Sequence, residues 1–413
     1  MSDTQKTHGG GESLLPATPV KGGARIAGLE GPRGFGCLCV IFVHCSIHFA
    51  PDVLASTRID FIGQALTFFF VLSGFLLYLP YVQRYRDGRE LPATGQYLMR
   101  RVLRVFPAYL VIFIIVNFVL RAAYIQNPVS LAWDNPQGGT GMITDPLKLL
   151  AYFTLTHSLF PSLYQTGINT SWSLTAEWGF YLALPIIGFM MFKLGRNSSN
   201  RMRTAMWAPL VLLVIGLIAN TSIGILQSRA GISTVEAYWG PNWIAVLARS
   251  FFGIADNFAF GMLAAVIFVG MKRNNWWSTT STSRLQWIFG AVTVVGVLAS
   301  MVLFATNPRF LATVFAFAGG AFILFIIAPT ARGAHSRVAE ILDWTPMRKM
   351  GVISLSAYLW HYPVLIMVYR MDLPIPIGWA GLFLGFGVVA AISIVLAMIT
   401  YRLVELPAMN YRA

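Results

Sequence analysis

Stretches of about 17 to 25 predominantly apolar residues recur along this chain, the length a helix needs to cross a bilayer at 1.5 Å per residue. They begin near Gly34, Phe61, Phe106, Trp172, Met206, Ile244, Leu285, Phe310, Gly351 and Gly378. They are too long for strands and apolar on every face. They predict about ten transmembrane helices, because a lipid-embedded backbone must satisfy its own hydrogen bonds. The fold expected is an all-α polytopic membrane protein with both termini on one side. Residues 1–24 hold no apolar run and are punctuated by Gly9, Gly10, Gly11, Pro16, Pro19, Gly22 and Gly23. That pattern predicts a disordered tail ahead of a membrane domain over 25–413, with no cleavable signal peptide expected. The longest polar connection, from about Tyr124 to Thr170, contains the turn pairs Asn127-Pro128, Asn135-Pro136 and Gly138-Gly139. No internal repeat is visible, and no loop is long enough for a soluble domain.

Composition agrees with the pattern. Hydrophobic residues make up 56% of the chain and charged residues only 11%, which excludes an ordinary soluble protein. The net charge of +14 sits in short loops between apolar spans rather than in one patch, so an anionic membrane leaflet accounts for it and a nucleic-acid partner is not expected. The basic residues also alternate. Arg84, Arg86, Arg89, Arg100, Arg101 and Arg104 fall between spans two and three; Lys193, Arg196, Arg201 and Arg203 follow span four; Lys272, Arg273 and Arg284 follow span six; and Arg332, Arg337, Arg348 and Lys349 follow span eight. The positive-inside rule places these loops and both termini in the cytoplasm. The three cysteines, Cys37, Cys39 and Cys45, share the first span, where neither a disulfide framework nor a four-thiolate site can form.

Polar and ionisable residues set inside the apolar runs carry the chemistry. Arg33 and His44 bracket the first run, Ser73 lies in the second, Glu177 in the fourth, Arg249 and Asp256 in the sixth and His361 in the ninth. A charge at that depth costs roughly 2.5 to 3.5 kcal/mol on insertion scales unless paired or wetted, so its default reading is functional. At 1.5 Å per residue, His44 lies about 16 Å beyond Arg33, Ser73 about 18 Å into its span and His361 about 15 Å beyond Gly351. Glu177 and Arg249 enter from the other face and reach roughly 8 Å, while Asp256 reaches the centre. The expectation is a polar chamber at mid-membrane, open toward both sides. Structural readings stand beside the functional ones. Ser73-Gly74 is also helix-packing chemistry, the Arg100, Arg101 and Arg104 cluster is also a topology signal, and Glu177 or Asp256 can simply pair with Arg249. His44 and His48 lie one turn apart, but only Cys45 is a further local ligand, and no metal is expected.

Several motifs, in order, resemble the acyltransferase family 3 integral membrane proteins. Leu29-Glu30-Gly31-Pro32-Arg33-Gly34 followed by His44 is similar to that family's opening motif, with Pro32 where Leu is usual. Phe69-Phe70-Val71-Leu72-Ser73-Gly74-Phe75, Arg101-Val102-Leu103-Arg104, Ser171-Trp172-Ser173-Leu174-Thr175-Ala176-Glu177-Trp178 and Gly351 to Pro363 with Tyr358-Leu359 and His361 resemble its later motifs. The resemblance implies transfer of an acyl group, commonly acetyl, from cytoplasmic acyl-CoA to a hydroxyl on an envelope carbohydrate or glycolipid. A hydroxyl is a poor nucleophile at neutral pH, and a histidine is the natural group to take its proton or to carry the acyl group itself. His44 is the first candidate for either role, with Glu177 or Asp256 to orient or assist it. Arg33, Arg101 and Arg104 suit the donor's phosphates, with Ser73 beside them. Trp172, His361 and Arg249 are expected on the acceptor side, the roles of Arg249 and Asp256 resting on placement and not on the resemblance.

Many members of that family carry a fused extracytoplasmic domain. None is expected here, which implies direct action on the acceptor or a separate extracytoplasmic partner. Trp133, Tyr152, His157, Tyr164 and Trp172 can offer ring faces to a sugar or form an interfacial aromatic belt. A secondary transporter using the same residues as a proton relay is the alternative from another class; the missing repeat counts against it.

Overall fold

The computed structural model describes residues 26–131 and 138–411. The expected tail at 1–24, together with Trp133 and the Asn135-Pro136 turn, lies outside the described residues. Long helices dominate: α1 (Glu30–Phe49), α2 (Ala65–Arg86), α3 (Thr94–Ile114), α4 (Trp172–Leu194), α5 (Arg201–Ala230), α6 (Ala255–Arg273), α7 (Thr282–Thr306), α8 (Leu311–Ala331), α9 (Ser354–Arg370) and α10 (Trp379–Thr400). Among the described residues nine helices are long and apolar enough to span a membrane, and α9 with the preceding helix Thr345–Val352 makes a tenth if the two are one span bent by 76°. The protein is multi-pass. The only strands among the described residues are β1 (Ala123–Tyr124) and β2 (Thr140–Gly141), antiparallel in the long connection between α3 and α4.

That connection is ordered where it is described. Asp145 caps the helix Pro146–Phe153 by accepting from the amides of Leu147 and Lys148. Asn117, in the π-helical turn that ends the α3 span, exchanges two hydrogen bonds with the backbone of Ile143. The loop therefore forms a cap fastened to the helix below it.

Three helix boundaries depart from the hydropathy reading. The third helix starts at Thr94, so Arg100, Arg101 and Arg104 lie within α3 and not in the connection before it. Arg100 is exposed there, while Arg101 and Arg104 are half-buried, as long arginine stems pack and their heads reach polar space. The expected sixth span from Ile244 is two helices, Trp243–Arg249 and α6. Ser250 Oγ donates back to the Leu247 carbonyl, and a Cβ at Gly253 would fall on that same carbonyl, so the chain turns sharply there. Asp256 is accordingly in the first turn of α6, and the mid-membrane depth counted from Ile244 does not hold. The ninth stretch breaks at Ile353.

Close backbone approach fixes the centre of the bundle. A Cβ at Gly74 of α2 would strike the Phe258 carbonyl, and one at Gly261 of α6 would strike the Val71 carbonyl. Small residues at facing positions let two helices meet at backbone distance, the packing mode available where lipid offers no hydrophobic drive between helices. Ser73, beside that contact, is thereby held in one orientation.

Candidate active site

The site is assembled from both ends of the sequence. Asp343 accepts from the Gly28 and Gly31 amides, both at 2.7 Å, satisfying N–H groups that the start of α1 leaves open. This carboxylate anchors the turn that carries Arg33, which pairs with Glu30 at 3.9 Å and has a buried Nε without a hydrogen-bond partner among the described residues. Arg33 opens onto a cavity of about 150 Å³ whose polar lining is Ser73 from α2, Arg101 and Arg104 from α3, Ser173, Glu177 and Tyr181 from α4, and Ser354 and Tyr358 from α9. All four residues flagged by the sequence for the donor, Arg33, Ser73, Arg101 and Arg104, thus meet one space.

Inside the cavity the groups are paired in a definite way. Ser73 Oγ donates to Glu177 Oε1 at 2.5 Å, so the serine of the second helix and the carboxylate of the fourth form one unit. Arg101 lies 5.9 Å from the Tyr97 ring and 6.0 Å from the Tyr181 ring, and its Nε is buried without a hydrogen-bond partner among the described residues. Arg104 is 3.6 Å from the fully buried Glu405, which also accepts from Ser356 Oγ. Arg101 is therefore the cavity arginine with no carboxylate in ion-pair range among the described residues. Glu405 was not anticipated from sequence. It belongs to a π-helical turn, Tyr401–Glu405, that continues α10, and such turns often sit at functional sites.

The histidines meet beyond the cavity's residues. His44 Nδ1 is 2.8 Å from His361 Nε2, and His361 Nδ1 is 2.5 Å from the Tyr358 carbonyl. A carbonyl only accepts, so His361 Nδ1 carries hydrogen and donates to it. With His361 neutral, its Nε2 must accept from His44 Nδ1–H, which leaves His44 Nε2 with its lone pair free. His44 Nε2 makes no hydrogen bond among the described residues. The Tyr362 ring stands edge-on to His44 at 5.1 Å.

Other candidates lie apart. Asp256 accepts from Thr313 of α8, with its second oxygen buried and unpartnered among the described residues, and does not line the cavity. Neither Glu177 nor Asp256 forms an ion pair with Arg249 among the described residues. The Arg249 guanidinium instead lies 3.8 Å from the Trp239 ring, 4.9 Å from that of Trp172 and 5.4 Å from that of Tyr238. His157, in the connection before α4, holds Ser171 Oγ at 3.0 Å and Ser158 Oγ at 3.2 Å through Nε2. Burial pushes its pKa down to about 3, so the ring is neutral near pH 7.

Comparison with known proteins places this arrangement in a family. The acyltransferase domain family matches residues 26–402. The chain is 26% identical to YrhL of Bacillus subtilis (strain 168) over 400 residues, covering 92% of this chain and 54% of that protein. It is 22% identical to the peptidoglycan O-acetyltransferase OatA of Listeria monocytogenes over 390 residues, covering 92% and 55%. Nodulation protein 10 of Rhizobium leguminosarum bv. viciae is 24% identical over 393 residues, covering 92% of each. The chain thus spans about half the length of the first two relatives and nearly all of the third. No solved structure gives a significant match. With its family match running from before Arg33 to beyond His361, the chain belongs to the acyltransferase 3 family.

Proposed function

We propose that this protein is a membrane O-acyltransferase that moves an acyl group, in the first instance acetyl, from acyl-CoA to a hydroxyl of an envelope carbohydrate or glycolipid. The observation that carries the reading is a histidine with one free ring nitrogen, His44 Nε2, held by His361 next to the lining of an arginine-bearing cavity. Family membership and a relative named as a peptidoglycan O-acetyltransferase support O-acetylation of an envelope carbohydrate.

Donor and acceptor approach from opposite faces in this reading. The arginine-rich loops face the cytoplasm by the positive-inside rule, so Arg33, Arg101 and Arg104 meet CoA phosphates from that side. His44 Nε2 takes the proton of the acceptor hydroxyl as its oxygen attacks the thioester carbonyl. The carbon–sulfur bond breaks, the proton passes from His44 to the leaving thiolate, and ester and free CoA result. His361 acts as a positioning residue: by accepting from Nδ1 it keeps the base nitrogen on the reacting side, as the third member of a catalytic triad does. Ser73 and Glu177 form a polar wall of the donor cavity.

The test is purified protein in proteoliposomes supplied with acetyl-CoA and an envelope extract. Free CoA should accumulate with an ester product heavier by one acetyl group, and His44→Ala should abolish both. Uptake of an intact solute with no ester formed would overturn the proposal in favour of a transporter.

A further inference from the structure

Arg249 has no carboxylate in ion-pair range among the described residues. Its helix, Trp243–Arg249, follows α5, which starts at the arginine-rich side and ends on the opposite face. Three aromatic rings surround the cation, at 3.8 Å (Trp239), 4.9 Å (Trp172) and 5.4 Å (Tyr238). The groups that face its charge are the phenols of Tyr164, which is within hydrogen-bond reach, Tyr238 and Tyr358, with no carboxylate among them. Its Nε is buried with no hydrogen-bond partner among the described residues. Nearby Thr170, only 1% exposed and next but one to Trp172, also has an unpartnered Oγ1, while its carbonyl accepts from Tyr358.

The cage is rigid. The Trp239 carbonyl accepts from Asn127 Nδ2 at 2.9 Å and the Tyr238 carbonyl accepts from Tyr164 at 2.9 Å, so the segment bearing two of the rings is fastened to the connection between α3 and α4. Ring faces stabilise a cation but accept none of its N–H hydrogen bonds in the ring plane, and an unsatisfied buried donor such as the Arg249 Nε–H is costly. A planar guanidinium held this way fits an anionic oxygen pair, which it grips through two parallel hydrogen bonds.

We propose that Arg249 is the anion-reading element of the acceptor site, taking a carboxylate or phosphate carried by the sugar acceptor. This rests on the reading of the face opposite the arginine-rich loops as the acceptor side. Tyr358 links the two regions, lining the donor cavity while facing Arg249. An acceptor gripped at Arg249 has its anion on the outer side and its hydroxyls directed inward.

Binding decides the matter without any acyl donor, so a failed transfer assay does not touch it. Methyl glucuronide, glucose 6-phosphate and methyl glucoside are titrated calorimetrically into the full-length detergent-solubilised protein. At least one anionic probe should bind about 10- to 100-fold more tightly than the neutral one, the range of a charged hydrogen bond, and the stronger of the two names the anion. Arg249→Gln should remove the preference. Arg249→Lys, which keeps a cation over the rings and guards against misfolding of the Gln variant, should restore only part of it. Equal binding of all three probes by the unaltered protein, or full preference in the Lys variant, would overturn the proposal.

Discussion

His44 and His361 share a hydrogen bond of 2.8 Å across 317 residues of sequence, and the Tyr358 carbonyl behind His361 dictates which nitrogen of each ring holds its hydrogen. The two residues are therefore unequal. Replacing His44 with Ala should lower kcat by at least the 10²–10⁴-fold usual for a general base. His361→Ala should cost less, lowering kcat with little change in the KM for acyl-CoA, and His361→Gln should recover part of the loss because its amide oxygen can accept from His44 Nδ1. Steady-state kinetics on the three variants checks this; equal losses from His44→Ala and His361→Ala would remove the distinction.

The two α3 arginines should separate in the same way. Arg101 faces the cavity with no carboxylate partner among the described residues, whereas Arg104 is 3.6 Å from Glu405. Arg101→Lys should raise the KM for acyl-CoA more than Arg104→Lys, since the guanidinium fork is lost where it is free to bind phosphate. Measurement of CoA affinity on correctly inserted protein tests the order.

Glu405→Ala should destabilise the protein, because Ser356 loses its hydrogen-bond acceptor and Arg104 its ion-pair partner. A loss of about 1.5 to 3 kcal/mol is expected for a charged hydrogen bond. Thermal unfolding in detergent measures it. Donor affinity should rise at the same time, since Arg104 is released to the cavity.

Topology is checked with cysteine reporters in a background lacking Cys37, Cys39 and Cys45. Exposed positions Arg89 and Ser199 should be shielded from an impermeant thiol reagent in intact cells, and Lys148 and Val235 should be labelled. These sites avoid the positive-φ glycines Gly88, Gly139 and Gly231, where a side chain would be strained. Labelling of Arg89 from outside would invert the orientation and put the donor cavity on the wrong face.

Gly261→Val should abolish folded protein rather than activity alone. The new side chain would meet the Val71 backbone, which cannot move without displacing Ser73 and α2. Loss of monodisperse protein in size-exclusion chromatography is the expected readout.

The sequence made the spans legible because lipid demands long apolar runs whatever the tertiary contacts, and it placed Arg33 and His44 on one helix by spacing alone. It failed where a break is itself apolar. Phe251, Phe252 and Ile254 keep the hydropathy high through the turn that separates Arg249 from Asp256, so the two read as neighbours on one helix although one sits among aromatic rings and the other binds Thr313. Glu405 escaped notice because Arg402 and Glu405 resemble the polar end of a final span. Only the fold shows that the carboxylate turns inward to a serine and to an arginine much earlier in the chain. Both dyad histidines were visible, but nothing local to either reveals that they touch.

The clasp between Asp343 and the first turn of α1 also sets a schedule. Its two hydrogen bonds join residues 315 and 312 positions apart, and the histidine contact spans a similar interval. At roughly 5–20 residues per second, the ribosome needs on the order of tens of seconds to add that length. Throughout that interval α1 lies in the bilayer with the Gly28 and Gly31 amides uncapped and His44 without the neighbour that fixes its tautomer. A nascent chain stalled before α9 would carry His44 and several residues of the cavity lining but not His361, so the histidine pair is complete only with the closing helices.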